Sequence, residues 1–541
     1  MIPKKITKIS QTDLRESSFR ENIIKKPLYW VCVGFITVLS YLFDITNRTI
    51  GIDDLARSTY SWAGKAMIKG TRWAMNIWEF LFTSSVFSPF IDKYLAAIFL
   101  ILNGLIFSRI LFNYIRQNHY KLTLCILFSC LYISFPLINE IWNYNGANYI
   151  TEGNSFLAAF TVFLLHQEEK IVNKKTLLCS FLLTMIAASY EASAFMYITL
   201  VLSVLLLDYL LLNRRKWIQS GMRYALPLLA AILLRYAIGF SILKLLNLNY
   251  EPNGMTGILW NFKNSLWPQV KSLIITTFDH YFLRAFIYLP ITIFVISLIT
   301  SFICIFIVSL KKKNFVILLL YFLLCVSLFA QAILQGTNMP YRTAQTIHLF
   351  TPLALTMSLL FITYYGSQHL TVFFIACLCL ICYRQGFFMN QTLSLNNQRS
   401  ENEAFMAQSL GFRLKTDYPE KPIYFIGLLD LGDNINQRVR PDENTPGGYL
   451  YRKLSYHFDL NYPDTRLYES NVNSVMSWNS LGSQMMAPYF AYYGYDINVM
   501  ENISTDLYRQ IVHYVLNEEM KPLEIRDMGS YILVYLGLRS W

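Results

Sequence analysis

Charge is what this chain has least of. Charged residues make up 15% of its 541 residues, where soluble globular proteins carry about 25%. That shortage, with a hydrophobic share of 54% and a mean hydropathy of +0.35, excludes a soluble protein of ordinary kind. Cysteine is missing altogether after Cys382, and all nine cysteines lie in apolar runs. Cys379 and Cys382 have CxxC spacing, but no histidine or second pair stands near them, so packing explains them better than redox or metal chemistry. No internal repeat and no low-complexity tract occurs. No small-residue cleavage site follows the first apolar run, which therefore reads as a retained span and not a removed signal peptide.

Long apolar runs are what is there. They recur at about 17–25 residues over roughly the first 390 positions, the length that crosses a hydrocarbon core. Eleven spans are expected, at 28–44, 91–114, 121–138, 151–167, 176–191, 193–212, 222–244, 283–310, 314–335, 346–366 and 369–388. The fold class is a polytopic α-helical membrane protein. Net charge is +12, yet residues 391–541 carry about 13 Lys and Arg against about 18 Asp and Glu. The positive excess sits in the membrane part and its short loops, which argues for membrane anchoring and against nucleic-acid binding.

The basic clusters are Lys4 to Lys26, Arg116 and Lys121, Lys170 to Lys175, Arg214 to Arg223, and Lys311 to Lys313. They alternate with poorly charged connections, so all can face the cytoplasm. The stretch 176–212 would be ~55 Å long as one helix, too long for a ~30 Å core. A hairpin with Ser189-Tyr190-Glu191 at its outer tip is expected. An odd span count then puts the tail outside. The chain divides into a cytoplasmic segment 1–27, a transmembrane domain 28–390 with the outer loops, and a C-terminal soluble domain 391–541. In that tail 422–427 and 531–536 read as buried strands, and 401–414 and 501–518 as helices, which makes a small α/β domain.

The outer loops carry the chemistry-bearing residues. Asp53 and Asp54, with Arg57 close behind, follow the first span. Aspartate at a helix N-terminus is favoured by capping as well, and the two roles are compatible. Arg72 and Trp73 come next. The segment 139–154 holds Glu140, Trp142, Asn148 and Glu152 with no basic residue. Carboxylate, amide and ring together suit a sugar. Tyr190 and Glu191 mark the hairpin tip. Cations stand at a similar level: Arg235 about twelve residues, or ~18 Å, beyond Arg223, with Arg284 and Arg342 near the outer face. Guanidinium forks match phosphate oxygens, and ionisable groups within spans mark sites by default. His119, His166 and His369 read as solvated at cytoplasmic edges. Asp279-His280 has two adjacent metal-ligand types but no third.

The order of these features resembles the GtrII-type glucosyltransferases, a bacterial branch of the polytopic GT-C glycosyltransferases. The residues that carry the likeness are Asp53-Asp54 with Arg57, Gly70-Thr71-Arg72-Trp73, the polar loop after the third span, Tyr190-Glu191, and Met339-Pro340-Tyr341-Arg342. Leu55 stands where the family often has a further acidic residue. The likeness covers about 28–390 and implies a GT-C-like fold in a bacterial cytoplasmic (inner) membrane. It implies an inverting transfer of a sugar, glucose by family, from undecaprenyl phosphate to a surface polysaccharide such as an O-antigen or wall glycan. By the same resemblance Asp53 or Asp54 is the base; no cofactor is implied, and a divalent cation stays open. Arg235, Arg342, Arg284 and Arg57 are expected to hold the donor phosphate. Glu140, Trp142, Asn148, Glu152, Tyr190, Glu191, Arg72 and Trp73 are expected around the sugar and acceptor. The partners are then a polyprenyl-phosphate-linked donor, a glycan acceptor and membrane lipid. The competing readings are a lipid-linked sugar flippase, which would favour mid-bilayer polar residues and half-repeats, and a polysaccharide polymerase or ligase.

Overall fold

The computed structural model describes residues 18–47, 67–82, 89–115, 118–144, 147–168, 170–211, 217–251, 266–337, 340–429, 446–457, 486–500 and 503–538. Asp53, Asp54 and Arg57 fall outside the described residues, as does the side chain of Glu140.

Helices dominate. In chain order they are α1 (Pro27–Thr46), α2 (Trp73–Phe82), α3 (Pro89–Phe112), α4 (Asn118–Ser134), α5 (Asn148–His166), α6 (Lys174–Ala187), α7 (Glu191–Leu211), α8 (Trp217–Leu245), α9 (Leu266–Tyr281), α10 (Leu289–Lys312), α11 (Val316–Ser327), α12 (Gln345–Tyr365) and α13 (Gln368–Asp417). Among the described residues seven helices are long and apolar enough to cross a membrane: α1, α3, α7, α8, α10, α12 and α13. α1 shows why. Tyr29, Val33, Ile36 and Tyr41 are buried on one face, while Val31, Phe35, Val38 and Leu42 are exposed on the other. A helix apolar all round is built to be surrounded by protein on one side and lipid on the other.

Three boundaries differ from the expectation. The segment 283–310 begins as a short 3-10 turn, Leu283–Phe286, and the helix proper starts at Leu289. Tyr288 is extended, with φ −125° and ψ 108°, and so interrupts the helix before Leu289, and Pro290 suits the first turn that follows. The segment 314–335 breaks after Ser327 and resumes as Ala330–Gln335; Thr346 Oγ1 donates to the Leu328 carbonyl at the break. The last segment does not stop at 388. α13 runs unbroken for 50 residues. The expected hairpin is found where placed: α6 ends at Ala187 and α7 starts at Glu191.

The helices are joined by close approach and by hydroxyl bonds. Gly104 packs against Ser129, where an added Cβ would sit 3.1 Å from the serine Cβ. Ser129 Oγ also meets Tyr29 Oη at 2.8 Å and Ser108 Oγ at 2.9 Å. Ser134 Oγ donates to Gln385 Oε1 at 3.0 Å, tying α4 to α13. These bonds leave few hydroxyls unpaired in an interior that cannot hydrate them.

Beyond Asp417 the strands begin. β1 (Ile423–Ile426) pairs in parallel with β4 (Ile532–Tyr535), and β4 pairs antiparallel with β3 (Glu524–Asp527). β2 (Leu428–Leu429) and β5 (Gly537–Leu538) form a second, antiparallel pair. Both faces of β1 and β4 are covered. Ile423, Phe425, Ile532 and Val534 pack with Leu410 and Leu414 of α13 and with α15 (Met486–Tyr492). Tyr424, Leu533 and Tyr535 pack with Ile511 and Val515 of α16 (Thr505–Asn517). Another helix, α14 (Pro446–His457), lies on the Leu283–Phe286 turn so closely that Gly447 would carry a Cβ 2.3 Å from the Phe286 carbonyl oxygen.

One buried ion pair closes an end of the bundle. Lys93 Nζ, with a side chain 1% exposed, donates to Asp44 Oδ1 at 2.9 Å and to the Asp44 carbonyl at 3.2 Å. Trp142 Nε1 donates to Asp44 Oδ2 at 2.7 Å. Three segments are thereby fastened: the end of α1, the start of α3 and the short helix Asn139–Trp142. Removing one partner leaves an uncompensated buried charge, which costs about 3–5 kcal/mol. Lys93→Met is expected to lower the melting temperature of the detergent-purified protein sharply. Asp44→Asn in the same chain should recover much of the loss; a double variant as unstable as the single one would contradict this account.

Candidate active site

The site is built from the turn before α2 upward. The backbone of 67–72 is closed by Thr71 N–H to the Ile68 carbonyl and Arg72 N–H to the Met67 carbonyl. Thr71 is held at φ 60°, a left-handed conformation that a β-branched residue enters at a cost. It is fully buried. Its methyl group fits against Gly239 of α8, where a Cβ would come within 3.0 Å of it. The turn aims Arg72 at the hairpin tip. Arg72 Nη2 donates to Glu191 Oε2 at 2.8 Å, and its Nε lies 3.1 and 3.2 Å from the two carboxylate oxygens. The Tyr190 ring lies 5.8 Å from the same guanidinium.

Arg235 reaches the other side of Glu191. Its Nη2 donates to Glu191 Oε1 at 2.5 Å and to Thr71 Oγ1 at 3.2 Å. Trp73 Nε1 donates to the Arg235 carbonyl at 3.3 Å, and Ala74 N–H donates to the Ala188 carbonyl at 3.1 Å. The three charged side chains are 8%, 7% and 14% exposed for Arg72, Arg235 and Glu191. Two guanidiniums on one carboxylate leave one positive charge over. Arg235 Nε is buried with no hydrogen-bond partner. A dry, preorganised cation of this kind is suited to an anion such as a phosphate.

Thus Arg72, Trp73, Tyr190, Glu191 and Arg235, drawn from three distant stretches of sequence, meet in one place. The other expected residues that are described lie outside this cluster. Trp142 is wholly enclosed, its ring centroid 4.1 Å from that of Tyr41 at a 33° tilt and its N–H on Asp44. Asn148 turns inward, donating to the Trp142 carbonyl and accepting from Tyr149 N–H. Glu152 accepts from Asn103 Nδ2 at 2.8 Å and from Tyr132 Oη at 3.3 Å.

Arg342 and Arg284 stand on neighbouring turns at the same end of the bundle. Arg342 Nη1 donates to Tyr144 Oη at 2.9 Å. Arg284 Nε donates to Asp279 Oδ2 at 3.3 Å, and Tyr451 Oη of α14 donates to the same carboxylate. Tyr341 Oη donates to the His280 carbonyl. Burial, reinforced by the neighbouring Arg284, pushes the His280 imidazole down to about 3, so it is neutral. Among the described residues no group of three or more His, Cys, Asp or Glu is gathered to hold a metal ion.

Other residues gave no sign of themselves in the sequence. Lys93 and Asp44 look like the ordinary edges of two spans. Asn103, Tyr132 and His348 are single polar groups inside apolar runs. At the opposite end of the bundle His166, expected to be solvated, lies 3.8 Å from Asp208, which also accepts from Tyr114 Oη. The available signal is an ionisable or amide side chain within an apolar run, which marks a partner elsewhere in the membrane part.

Glu191→Gln keeps the shape of the acceptor but removes its charge. Two buried guanidiniums are then left without compensation, a loss of about 3–5 kcal/mol by the same logic as any broken buried pair. Arg235→Gln added to Glu191→Gln should restore part of the thermal stability, as one of the two orphaned cations is gone. Equal melting temperatures for wild type and Glu191→Gln would show that the cluster is not held by its charges.

The family model for Glucosyl transferase GtrII matches residues 42–364, more than half of the chain. No curated protein and no solved structure shows significant similarity to it. The chain belongs to the GtrII glucosyltransferase family, and the matched span includes Arg72, Glu191 and Arg235 as well as Glu152 and Arg342.

Proposed function

From membership of a glucosyltransferase family, we propose that this protein moves glucose from undecaprenyl phosphate to a surface polysaccharide, such as an O-antigen or wall glycan, at the outer face of the bacterial inner membrane. The observation that carries the reading is the buried Arg72–Glu191–Arg235 cluster with its surplus positive charge. A lipid phosphate brought to the end of a helical bundle needs such a partner, and a free sugar does not. In this reading the C-terminal segment 391–541 is a soluble domain on the same outer side.

The chemistry derives from the leaving group. A hydroxyl of the acceptor glycan attacks the anomeric carbon. The new C–O bond forms as the bond from that carbon to the phosphate oxygen breaks, and the electron pair departs on the phosphate. One carboxylate suffices to take the hydroxyl proton, because a phosphate needs no acid to help it leave. This differs from glycoside hydrolysis, where two carboxyl groups are required. Asp53 or Asp54 takes the proton, and Arg235 with Arg72 stabilises the charge gathering on the departing phosphate. Single displacement inverts the anomeric configuration. Arg342, Arg284 and Arg57 are assigned to guiding the donor headgroup, and Glu140 and Glu152 with the surrounding aromatic residues to the sugar and acceptor.

The test is glucosyl transfer from a polyprenyl-phosphate donor in membranes containing the full chain. Loss of a general base costs about 10²–10⁴ in rate. One of Asp53→Asn and Asp54→Asn is expected to fall by that factor at normal protein abundance. Full transfer by both variants would rule out the acidic pair as the base.

A further inference from the structure

Beyond the cationic cluster lies a second set of buried polar groups, of which the reading above uses only Glu152. It centres on Tyr132 of α4. The Tyr132 hydroxyl donates to Glu152 of α5, which also accepts from Asn103 of α3. The other side of the Tyr132 ring faces His348 of α12, with ring centroids 4.5 Å apart, and Phe135 flanks the imidazole at 5.8 Å. His348 is 4% exposed, and neither of its ring nitrogens has a hydrogen-bond partner. Pro352, inside α12, supplies no N–H to the His348 carbonyl, so the helix's own bond is missing there too.

One turn earlier on the same face of α12, Gln345 accepts from Ser193 Oγ at 2.8 Å, while its Nε2 is buried without a partner. Asn103 is similar: its Nδ2 is engaged by Glu152, and its Oδ1 is unpartnered. Leaving several buried polar atoms unsatisfied is costly, on the order of 1–3 kcal/mol each, and such groups in a folded protein call for an explanation.

Their chemistry is specific. Gln345 Nε2 is a donor, Asn103 Oδ1 an acceptor, and a neutral imidazole one of each. A phosphate would find too few donors here, and a lipid tail would strand every one of these atoms. Hydroxyl groups, which donate and accept at once, match the set, and the Tyr132 and Phe135 rings supply apolar flanks. Position matters equally. Ser193, the partner of Gln345, lies in the first turn of α7, which begins at Glu191, so the set and the cluster assigned to the phosphate draw on the same end of that helix.

We propose that Gln345 and His348 of α12, with Asn103, Tyr132 and Glu152, form a subsite for the hydroxyls of the donor's hexose ring and fix which sugar is accepted. The inference rests on the donor reading of the previous subsection and names the sugar-recognition half of that site. His348 and Gln345 are specificity residues: a hydroxyl that satisfies a buried group is favoured, and a sugar lacking it leaves that group unpaired.

His348→Phe keeps an aromatic ring and Gln345→Leu a side chain of similar size, and both remove the hydrogen-bonding atoms. With glucosyl polyprenyl phosphate as donor, each is expected to raise KM about tenfold or more, with protein abundance and melting temperature near wild type. Discrimination between glucosyl donors and their deoxy analogues should narrow. In a separate measurement, methyl glucoside at millimolar concentration should raise the melting temperature of the wild type and leave His348→Phe unmoved. Unchanged KM and sugar discrimination in both variants would overturn the subsite. So would losses that simply parallel a fall in melting temperature, which would make the groups structural. If the wild type transfers nothing from this donor yet methyl glucoside still protects it through His348, the donor reading falls and the hexose subsite stands. Without that protection the subsite falls with it.

Discussion

A carboxylate held between two guanidiniums organises the site end of this protein. Glu191 can stay buried only because Arg72 and Arg235 reach it from opposite sides. Neither arginine could remain enclosed without it. The three residues come from the turn before α2, the tip of the α6–α7 hairpin and the interior of α8, so their mutual need fixes how those segments meet. Thr71 is forced into a left-handed backbone to make the meeting possible, and Gly239 leaves the room it requires. The short segment before α2 would otherwise have little to dock on.

This part of the architecture is legible from sequence because its signals are charges. Arg235 inside an apolar run, Glu191 at the tip of an overlong apolar stretch and Arg72 beside a tryptophan each stand out as expensive, and expensive groups find one another. Asn103, Tyr132 and His348 give no such signal. One amide or imidazole in an apolar helix is common enough to pass unremarked, and only packing shows that Tyr132 bridges Glu152 and His348. Trp142 misleads for a related reason. A tryptophan in a polar loop suggests a ring available for stacking, yet here the indole is enclosed and its N–H belongs to Asp44. The end of α13 is hidden because hydropathy and helicity part company there. Hydropathy falls after residue 388 because the surroundings of the helix change, not because the backbone does; no proline occurs before Pro419 to stop it.

The family match ends at residue 364, and the two buried polar sets both lie within it. The chain past that residue is structurally continuous with the matched part. α13 packs along α1, where Gly386 meets Ser40, Leu39 and Ile36, and α14 comes back onto the turn that carries Arg284, with Tyr451 sharing Asp279. The chain beyond the match is thus tied to the bundle by chain and by contact, and it contributes the Tyr451 side chain to the surroundings of Arg284.

The unbroken course of α13 has a geometric corollary. A continuous helix has a phase as well as a length. Each residue added between Gly386 and Leu410 would turn everything beyond it by about 100° and advance it by about 1.5 Å. Gly386 must face α1 while Leu410 and Leu414 face the strands, so the interval between them is counted, not merely spanned. Substitutions along that stretch can be absorbed one at a time, but a single insertion or deletion cannot. The helix works as a keyed shaft whose two ends are cut to the same angular reference, and in evolution its length can change only by steps that restore the turn.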